Sequence, residues 1–263
     1  MGAMEVIIQS DLRQASLLGA RIIARLVREK PNAVLGFATG KTPLLLYQFL
    51  VQMHQEQGLD FGRITAFNLD EYFGLDPSHP ASFHSYMWKN LFSHIAIPDE
   101  RGNIPNGMAS DIPAACREFE VKIKSSGGID IQILGIGRDG HIGFNEPSSS
   151  LTSRTRIKTL TAVTRRDQAE DFGGEEKVPF HVITMGLGTI MESRTSLLLA
   201  FGKQKARPIA QTIEGPITAM VPASVLQLHR RSIVILDEEA AAELNKADYY
   251  RWVYDHKPDW QKY

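Results

Sequence analysis

Apolar residues recur at helical spacing from Asp11 to Lys30, where Leu17, Leu18, Ile22, Ile23, Leu26 and Val27 share one face and Pro31-Asn32 ends the run. The pattern then shortens to Ala33-Val-Leu-Gly-Phe-Ala38, an apolar stretch of strand length bounded by Gly40. Helical character returns over Pro43 to Gln57, with Gly58 closing it. This strand-turn-helix unit sets the theme for the rest of the chain. Strands are predicted at Arg63 to Asn68, Ile129 to Ile136, His181 to Met185, Ser196 to Phe201 and Ser232 to Leu236. Helices are predicted at Ser82 to Phe92, Asp111 to Lys124, Lys203 to Ile213 and Glu238 to Tyr254. Such alternation predicts an α/β fold, a parallel or mostly parallel sheet covered by helices on both faces. Thr161 to Pro179 is the least regular stretch, polar and acidic around Gly173-Gly174. It reads either as a mobile cover over a site or as an ordinary surface loop.

A chain of 263 residues with 43% hydrophobic content can bury the core of one large α/β domain, taken as 4–263; Met1-Gly-Ala3 reads as a short addition ahead of a start at Met4. The formal net charge of −1 supplies no basic field to gather nucleic acid, although a local cluster of cations suffices for a small anion. Cys116 is the single cysteine and forms no internal disulfide, and no Cys/His spacing resembles a zinc site, so a cytoplasmic protein without a metal is expected. No apolar stretch is long enough to span a bilayer and no secretory pattern opens the chain, so no membrane association is expected.

Candidate chemistry concentrates in Leu134-Gly-Ile-Gly-Arg-Asp-Gly-His-Ile-Gly-Phe-Asn-Glu146. Asp139, His141 and Glu146 fall there within eight residues, amid four glycines and directly after a strand-like run. A strand ending in a glycine turn would deliver them together at its carboxyl end, where open α/β sheets bind ligands. The imidazole can exchange a proton near neutral pH, and either carboxylate can fix its tautomer and stabilise its cation. The alternative is a turn in which Asp139 and Asn145 cap backbone amides and His141 only packs. Phe37-Ala-Thr-Gly-Lys-Thr-Pro43, between a strand and a helix, is a candidate anion site, with Thr42 as N-cap and Pro43 in the first helical turn. Its spacing fits neither a nucleotide P-loop nor a dinucleotide fingerprint, and a plain capped turn is the alternative. Lys205, at another strand-to-helix junction, offers a second cation or is simply solvated. Asp70 and Glu71 leave a third strand; if Asp70 faces its carboxyl edge it meets the ligand while Glu71 turns into the following loop. A partly desolvated Asp70 beside a substrate would be a competent base for a carbon-bound proton, and turn chemistry is the plainer reading.

Taken in order, Ala38-Thr-Gly-Lys-Thr-Pro43, Asn68-Leu-Asp-Glu-Tyr72, Gly135-Ile-Gly-Arg-Asp-Gly-His-Ile-Gly-Phe-Asn-Glu-Pro147 and Ser153-Arg-Thr-Arg-Ile-Lys-Thr-Leu160 resemble the glucosamine-6-phosphate deaminase (glucosamine-6-phosphate isomerase) family. The resemblance covers nearly the whole chain. It implies a three-layer αβα sandwich of Rossmann-like topology with a mobile lid at about 161–179. It also implies conversion of glucosamine 6-phosphate and water to fructose 6-phosphate and ammonia, without a cofactor. On this resemblance His141 assists ring opening, Asp139 and Glu146 hold its orientation and charge, and Asp70 moves a proton between the second and first sugar carbons. Thr39, Gly40, Lys41 and Thr42, with Lys205, would hold the phosphate.

Ser149, Arg156 and Lys158 match positions that bind the activator N-acetylglucosamine 6-phosphate in allosteric members, against the alternative of a basic surface strand. That site also uses the amino terminus of a neighbouring subunit, which the extra Met1-Gly-Ala3 would displace. The carboxyl-terminal segment to Tyr263 resembles the oligomeric, usually hexameric, members, so a homo-oligomer is expected. Two departures stand out: Lys41 replaces the family's usual glycine or serine, and Glu170 falls where the family places a phosphate-contacting arginine. A carboxylate there would repel phosphate, so Lys41, Arg166 or Arg207 compensates or the substrate is another amino-sugar phosphate. A sugar-phosphate lactonase of related fold and a non-catalytic sugar-phosphate sensor are the rivals. The lactonase would not need Asp70 as a carbon base, and intact Asp70, Asp139, His141 and Glu146 weigh against the sensor.

Overall fold

The computed structural model describes residues 4–263; the expectation attached to Met1-Gly-Ala3 lies outside the described residues. In chain order the elements are β1 (Met4–Gln9), α1 (Leu12–Glu29), β2 (Val34–Phe37), α2 (Leu44–Gln57), β3 (Thr65–Asn68), β4 (Asp70–Tyr72), α3 (Phe83–Asn90), β5 (Gly102–Asn103) and α4 (Ile112–Ser125). They continue with β6 (Ile131–Leu134), β7 (Arg156–Thr159), α5 (Ala162–Phe172), β8 (His181–Thr184), α6 (Leu187–Met191), β9 (Thr195–Ala200), α7 (Ala206–Ile213), β10 (Ser232–Asp237) and α8 (Ala247–Asp255). Asp11 caps α1 by accepting from the Gln14 amide at 2.8 Å, and Leu18, Ile22, Ile23 and Val27 turn inward. Each buried side chain of this size contributes about 1.5–3 kcal/mol relative to exposure. The cap contributes only about 1 kcal/mol, so the apolar stripe decides which face the helix presents.

A seven-stranded sheet in the order β1-β10-β9-β6-β2-β3-β5 is parallel throughout. Strands β2, β6 and β9 are buried at every position, as a sheet covered on both faces requires. From β2 the chain builds outward to β3 and β5, and from β6 it builds the other way to β9. The order therefore reverses between β2 and β6, and the crevice at their carboxyl ends is where such sheets take ligands.

Three expectations need correction. The strand at His181 to Met185 is not in the parallel sheet: β8 pairs antiparallel with both β4 and β7 in a second, three-stranded sheet. The chain leaves the main sheet at Leu69, whose amide still donates to the Phe37 carbonyl (3.0 Å) while its own carbonyl accepts from the Met185 amide (2.8 Å). The stretch read as irregular contains α5, capped by the Thr161 hydroxyl and ended by Gly173 in the left-handed region at φ 68°. Thr164 is its only buried residue, so it carries no apolar stripe. The helix expected over Glu238 to Tyr254 shrinks to α8, because Asp237 accepts from the Ala240 amide (2.8 Å) and holds the preceding residues in turns. No helix among the described residues is long and apolar enough to cross a membrane.

Candidate active site

The loop after β6 carries the first group of titratable residues. His141 Nδ1 lies 2.7 Å from Asp139 Oδ1 and 3.6 Å from Glu146 Oε2. The shorter approach is an ion-pair contact whose angle falls outside hydrogen-bond geometry, as suits a nitrogen set between two acids. The imidazole fits because residue 137 is glycine; a Cβ there would overlap the ring. Burial works against its charged form, but the two carboxylates prevail and raise its pKa to about 9. Asp139, although burial opposes its charge too, is held well below the usual carboxylate range by the His141 contact. Asp139 Oδ1 also accepts from the His141 amide (3.1 Å), so its turn-capping role coexists with its ionic one. Buried Glu146 is fixed by the Thr164 hydroxyl, which donates to its Oε1 at 2.6 Å and ties the loop to α5. The three groups offer ligand atoms within 4.8 Å of one another, a donor set of the kind a metal ion uses. The 2.7 Å ion-pair contact already joins two of these groups.

Asp70 and Glu71 are both buried on β4 but diverge, as expected from strand alternation. Glu71 accepts from the amides of Tyr72 (2.9 Å), Phe83 (3.0 Å) and His84 (2.9 Å), closing the start of α3. Asp70 Oδ1 has no hydrogen-bond partner among the described residues. Burial first, then the charge of Glu71, raise the Asp70 pKa to about 8, while His141 pulls it the other way. Tyr72, on the same face of β4, has a buried hydroxyl that is likewise unpartnered.

Asp70 and His141 line one cavity of about 620 Å³, together with Thr39, Gly40, Lys41, Thr42 and Lys205. Asp139 and Glu146 stand behind His141. Gly40 takes φ 96°, where a side chain would be strained, and its carbonyl accepts from the Tyr86 hydroxyl at 2.6 Å. Thr42 is not the N-cap of α2. Pro43 occupies that place with helical angles and there is no side-chain cap, so the first helical amides have no side-chain partner and suit an anion. Lys205 is half-buried rather than freely solvated: its Nζ donates to the Ile136 carbonyl at 2.7 Å, and burial lowers its pKa. Glu170 reaches back from α5 to pair with Lys41 at 2.6 Å, both side chains being largely exposed. Arg166 turns instead to the Ala162 carbonyl (3.3 Å).

The model of the glucosamine-6-phosphate isomerases/6-phosphogluconolactonase family matches residues 12–235, which include every residue of this cavity. The chain belongs to that family. It is 51% identical over 258 residues to the glucosamine-6-phosphate deaminase of Arthrobacter sp. (strain FB24), covering 98% of this chain and 99% of the relative. The glucosamine-6-phosphate deaminase of Hahella chejuensis (strain KCTC 2396) is 52% identical over 250 residues, 95% of each chain. A solved monomeric glucosamine-6-phosphate deaminase superposes with a TM-score of 0.90 at 46% identity, over 91% of this chain and 100% of that one. The 6-phosphogluconolactonase from Trypanosoma cruzi shares the fold at 18% identity, with a TM-score of 0.73 over 93% and 98% of the two chains. The mostly parallel sheet flanked by helices is thus the architecture of the isomerase/lactonase family, as the resemblance implied.

In this family member the three activator-site candidates stand apart from the main cavity. Arg156 and Lys158 alternate onto one side of β7, and Ser149 is buried with an unpartnered hydroxyl. Arg156 lines a second cavity of about 580 Å³ beside α4. No hydrogen bond among the described residues joins Ser149 to either cation. Two site residues escaped the sequence reading, Thr164 and Tyr86, while Asn145, read there as a possible cap of backbone amides, instead donates to the Ile142 and Met185 carbonyls. Only Thr164 had a local signal, lying three residues after the Thr161 cap.

Proposed function

We propose that the chain converts glucosamine 6-phosphate and water to fructose 6-phosphate and ammonia by aldose-ketose isomerisation followed by hydrolytic deamination. Asp70 carries this reading: a buried carboxylate with a free oxygen, in the same cavity as a histidine paired to two acids. Moving a carbon-bound proton needs such a base; opening a lactone does not. The deaminases at 51% and 52% identity support the same choice.

Phosphate would sit against Thr39 to Thr42 and Lys205, so that binding remote from the reacting carbons aligns them. His141, with Nδ1 turned to its acids, offers Nε2–H to the ring oxygen. As the bond from the first carbon to that oxygen breaks, the imidazole recovers a proton from the first-carbon hydroxyl, leaving the open-chain aldehyde. Asp70 then removes the second-carbon proton, giving an enolamine, and returns it to the first carbon. The resulting imine adds water and expels ammonia. An ammonium group on the incoming substrate would favour the ionised form of Asp70.

The same reading extends to N-acetylglucosamine 6-phosphate as an activator held by Ser149, Arg156 and Lys158; the half-buried guanidinium of Arg156, which pairs with no carboxylate among the described residues, supports it. The buried, free Cys116 supports a cytoplasmic setting. A homo-oligomer rests on the carboxyl-terminal segment, and the monomeric deaminase weighs against a hexamer. The test is incubation with glucosamine 6-phosphate, with and without N-acetylglucosamine 6-phosphate, measuring both products. Equal release of ammonia and fructose 6-phosphate is expected. Release of neither overturns the reading, and hydrolysis of a sugar-phosphate lactone instead would favour the lactonase.

A further inference from the structure

We propose that Asn145 is a positioning residue that holds the His141 loop in register with Asp70, and that Arg156 acts on the reaction through it. The proposal rests on the deaminase reading. Asn145 is completely buried. Its Nδ2 donates to the Ile142 carbonyl (2.9 Å) and to the Met185 carbonyl (2.8 Å), and its Oδ1 accepts from Arg156 Nη1 (2.9 Å). Ile142 follows His141 directly. Met185 follows Thr184, the residue paired with Asp70 across β4 and β8. Thr184 adds a second stitch, its hydroxyl accepting from the Phe144 amide at 3.1 Å. One carboxamide therefore joins the loop that handles oxygen-bound protons to the strand behind the carbon base.

Arg156 sets the sense of that carboxamide. A guanidinium can only donate, so it must face Oδ1, which aims both Nδ2 hydrogens at the two carbonyls. Without it the amide can turn over and oppose its oxygen to those carbonyls. Among the described residues Arg156 has no carboxylate to hold it elsewhere; its other acceptor is the Arg154 carbonyl at 3.3 Å. The amide is thus the point at which a change at β7 reaches both proton-transfer groups. A displacement of about 1 Å in such groups lowers turnover by as much as ~100-fold.

The experiment compares steady-state deamination of glucosamine 6-phosphate, without added activator, by the wild type, Asn145→Ser, Asn145→Asp, Arg156→Met and the Asn145→Ser/Arg156→Met double variant. Asn145→Asp keeps the shape and the acceptor for Arg156 but loses both donations. Each Asn145 variant should lower kcat about 30-fold with KM changed less than about twofold, and Arg156→Met should lower kcat about fivefold. The double variant should be no slower than Asn145→Ser, because Arg156 works through the amide. Arg156 is half-exposed, so its variant keeps the test alive if Asn145→Ser does not fold. A raised KM with unchanged kcat, or a fivefold further loss in the double variant, would overturn the proposal. An active wild type beside an unimpaired Asn145→Asp sinks this proposal alone, whereas a wild type releasing neither product sinks the deaminase reading and this proposal with it.

Discussion

Two walls of one cavity use the same side-chain type in opposite ways. On the loop after β6, Asp139 meets an imidazole at 2.7 Å and is held well below the usual carboxylate range. On β4, Asp70 meets no donor at Oδ1 among the described residues and is raised to about 8. A carboxylate whose charge is matched is a weak base that can steer a histidine; one left unmatched becomes a strong base at neutral pH. Glu71, adjacent to Asp70, is also raised by burial, but amide hydrogen bonds pull against the rise. It is just as buried, yet three amides satisfy it and it serves as a helix cap.

The strongest way to break this contrast is Asp70→Asn, which should lower kcat by about 1000-fold with little change in KM. The same substitution should stabilise the fold in a pH-dependent way. The folded pKa of about 8 lies above the ordinary value of 3.8. Ionisation of Asp70 therefore costs nothing below about pH 4, costs progressively more from there to about pH 8, and costs most above it. Asp70→Asn should raise Tm more at about pH 9 than at about pH 5, and an equal shift at both would contradict the unmatched charge. Glu71→Gln should do the reverse, losing about 2 kcal/mol of stability in denaturant titration while kcat stays within a fewfold of wild type.

Next in size is the other wall. His141→Gln should lower kcat about 100-fold. In the wild type, kcat/KM should rise through about pH 8 as Asp70 ionises and fall through about pH 9 as His141 loses its proton. Asp139→Asn removes a carboxylate that raises the His141 pKa, so the alkaline limb should move to lower pH; a limb that stays in place would detach it from His141. The smallest effects belong to the rim, where Lys41 and Glu170 pair in solvent. Glu170→Arg should lower the KM for the phosphorylated substrate about threefold, with a smaller gain at high salt. An unchanged KM would put residue 170 outside the reach of the phosphate.

Much of this was legible because the central parallel strands are mostly apolar, and because Asp139, His141 and Glu146 lie within one loop. The antiparallel sheet was not. Strand β4 is Asp70-Glu71-Tyr72, two acids and a tyrosine whose burial comes entirely from tertiary packing. Helix α5 was hidden for the opposite reason: it buries only Thr164, so periodicity had nothing to register, although Thr161 and Gly173 marked its ends. The opposed roles of Asp70 and Glu71 followed from alternation along a strand. Their unequal hydrogen bonding did not, because the amides that satisfy Glu71 beyond its own strand arrive from residues 83 and 84. The Lys41–Glu170 pair joins residues 129 positions apart, beyond any local pattern.

The central claim is that carbon-bound and oxygen-bound protons are handled by different walls. It is tested most directly by incubating the wild type and Asp70→Asn with glucosamine 6-phosphate in deuterated water. Magnetic resonance then follows both loss of the second-carbon proton and interconversion of the ring anomers. Asp70→Asn should lose about 1000-fold in carbon exchange while still accelerating ring opening. Carbon exchange at the wild-type rate in Asp70→Asn would contradict the division.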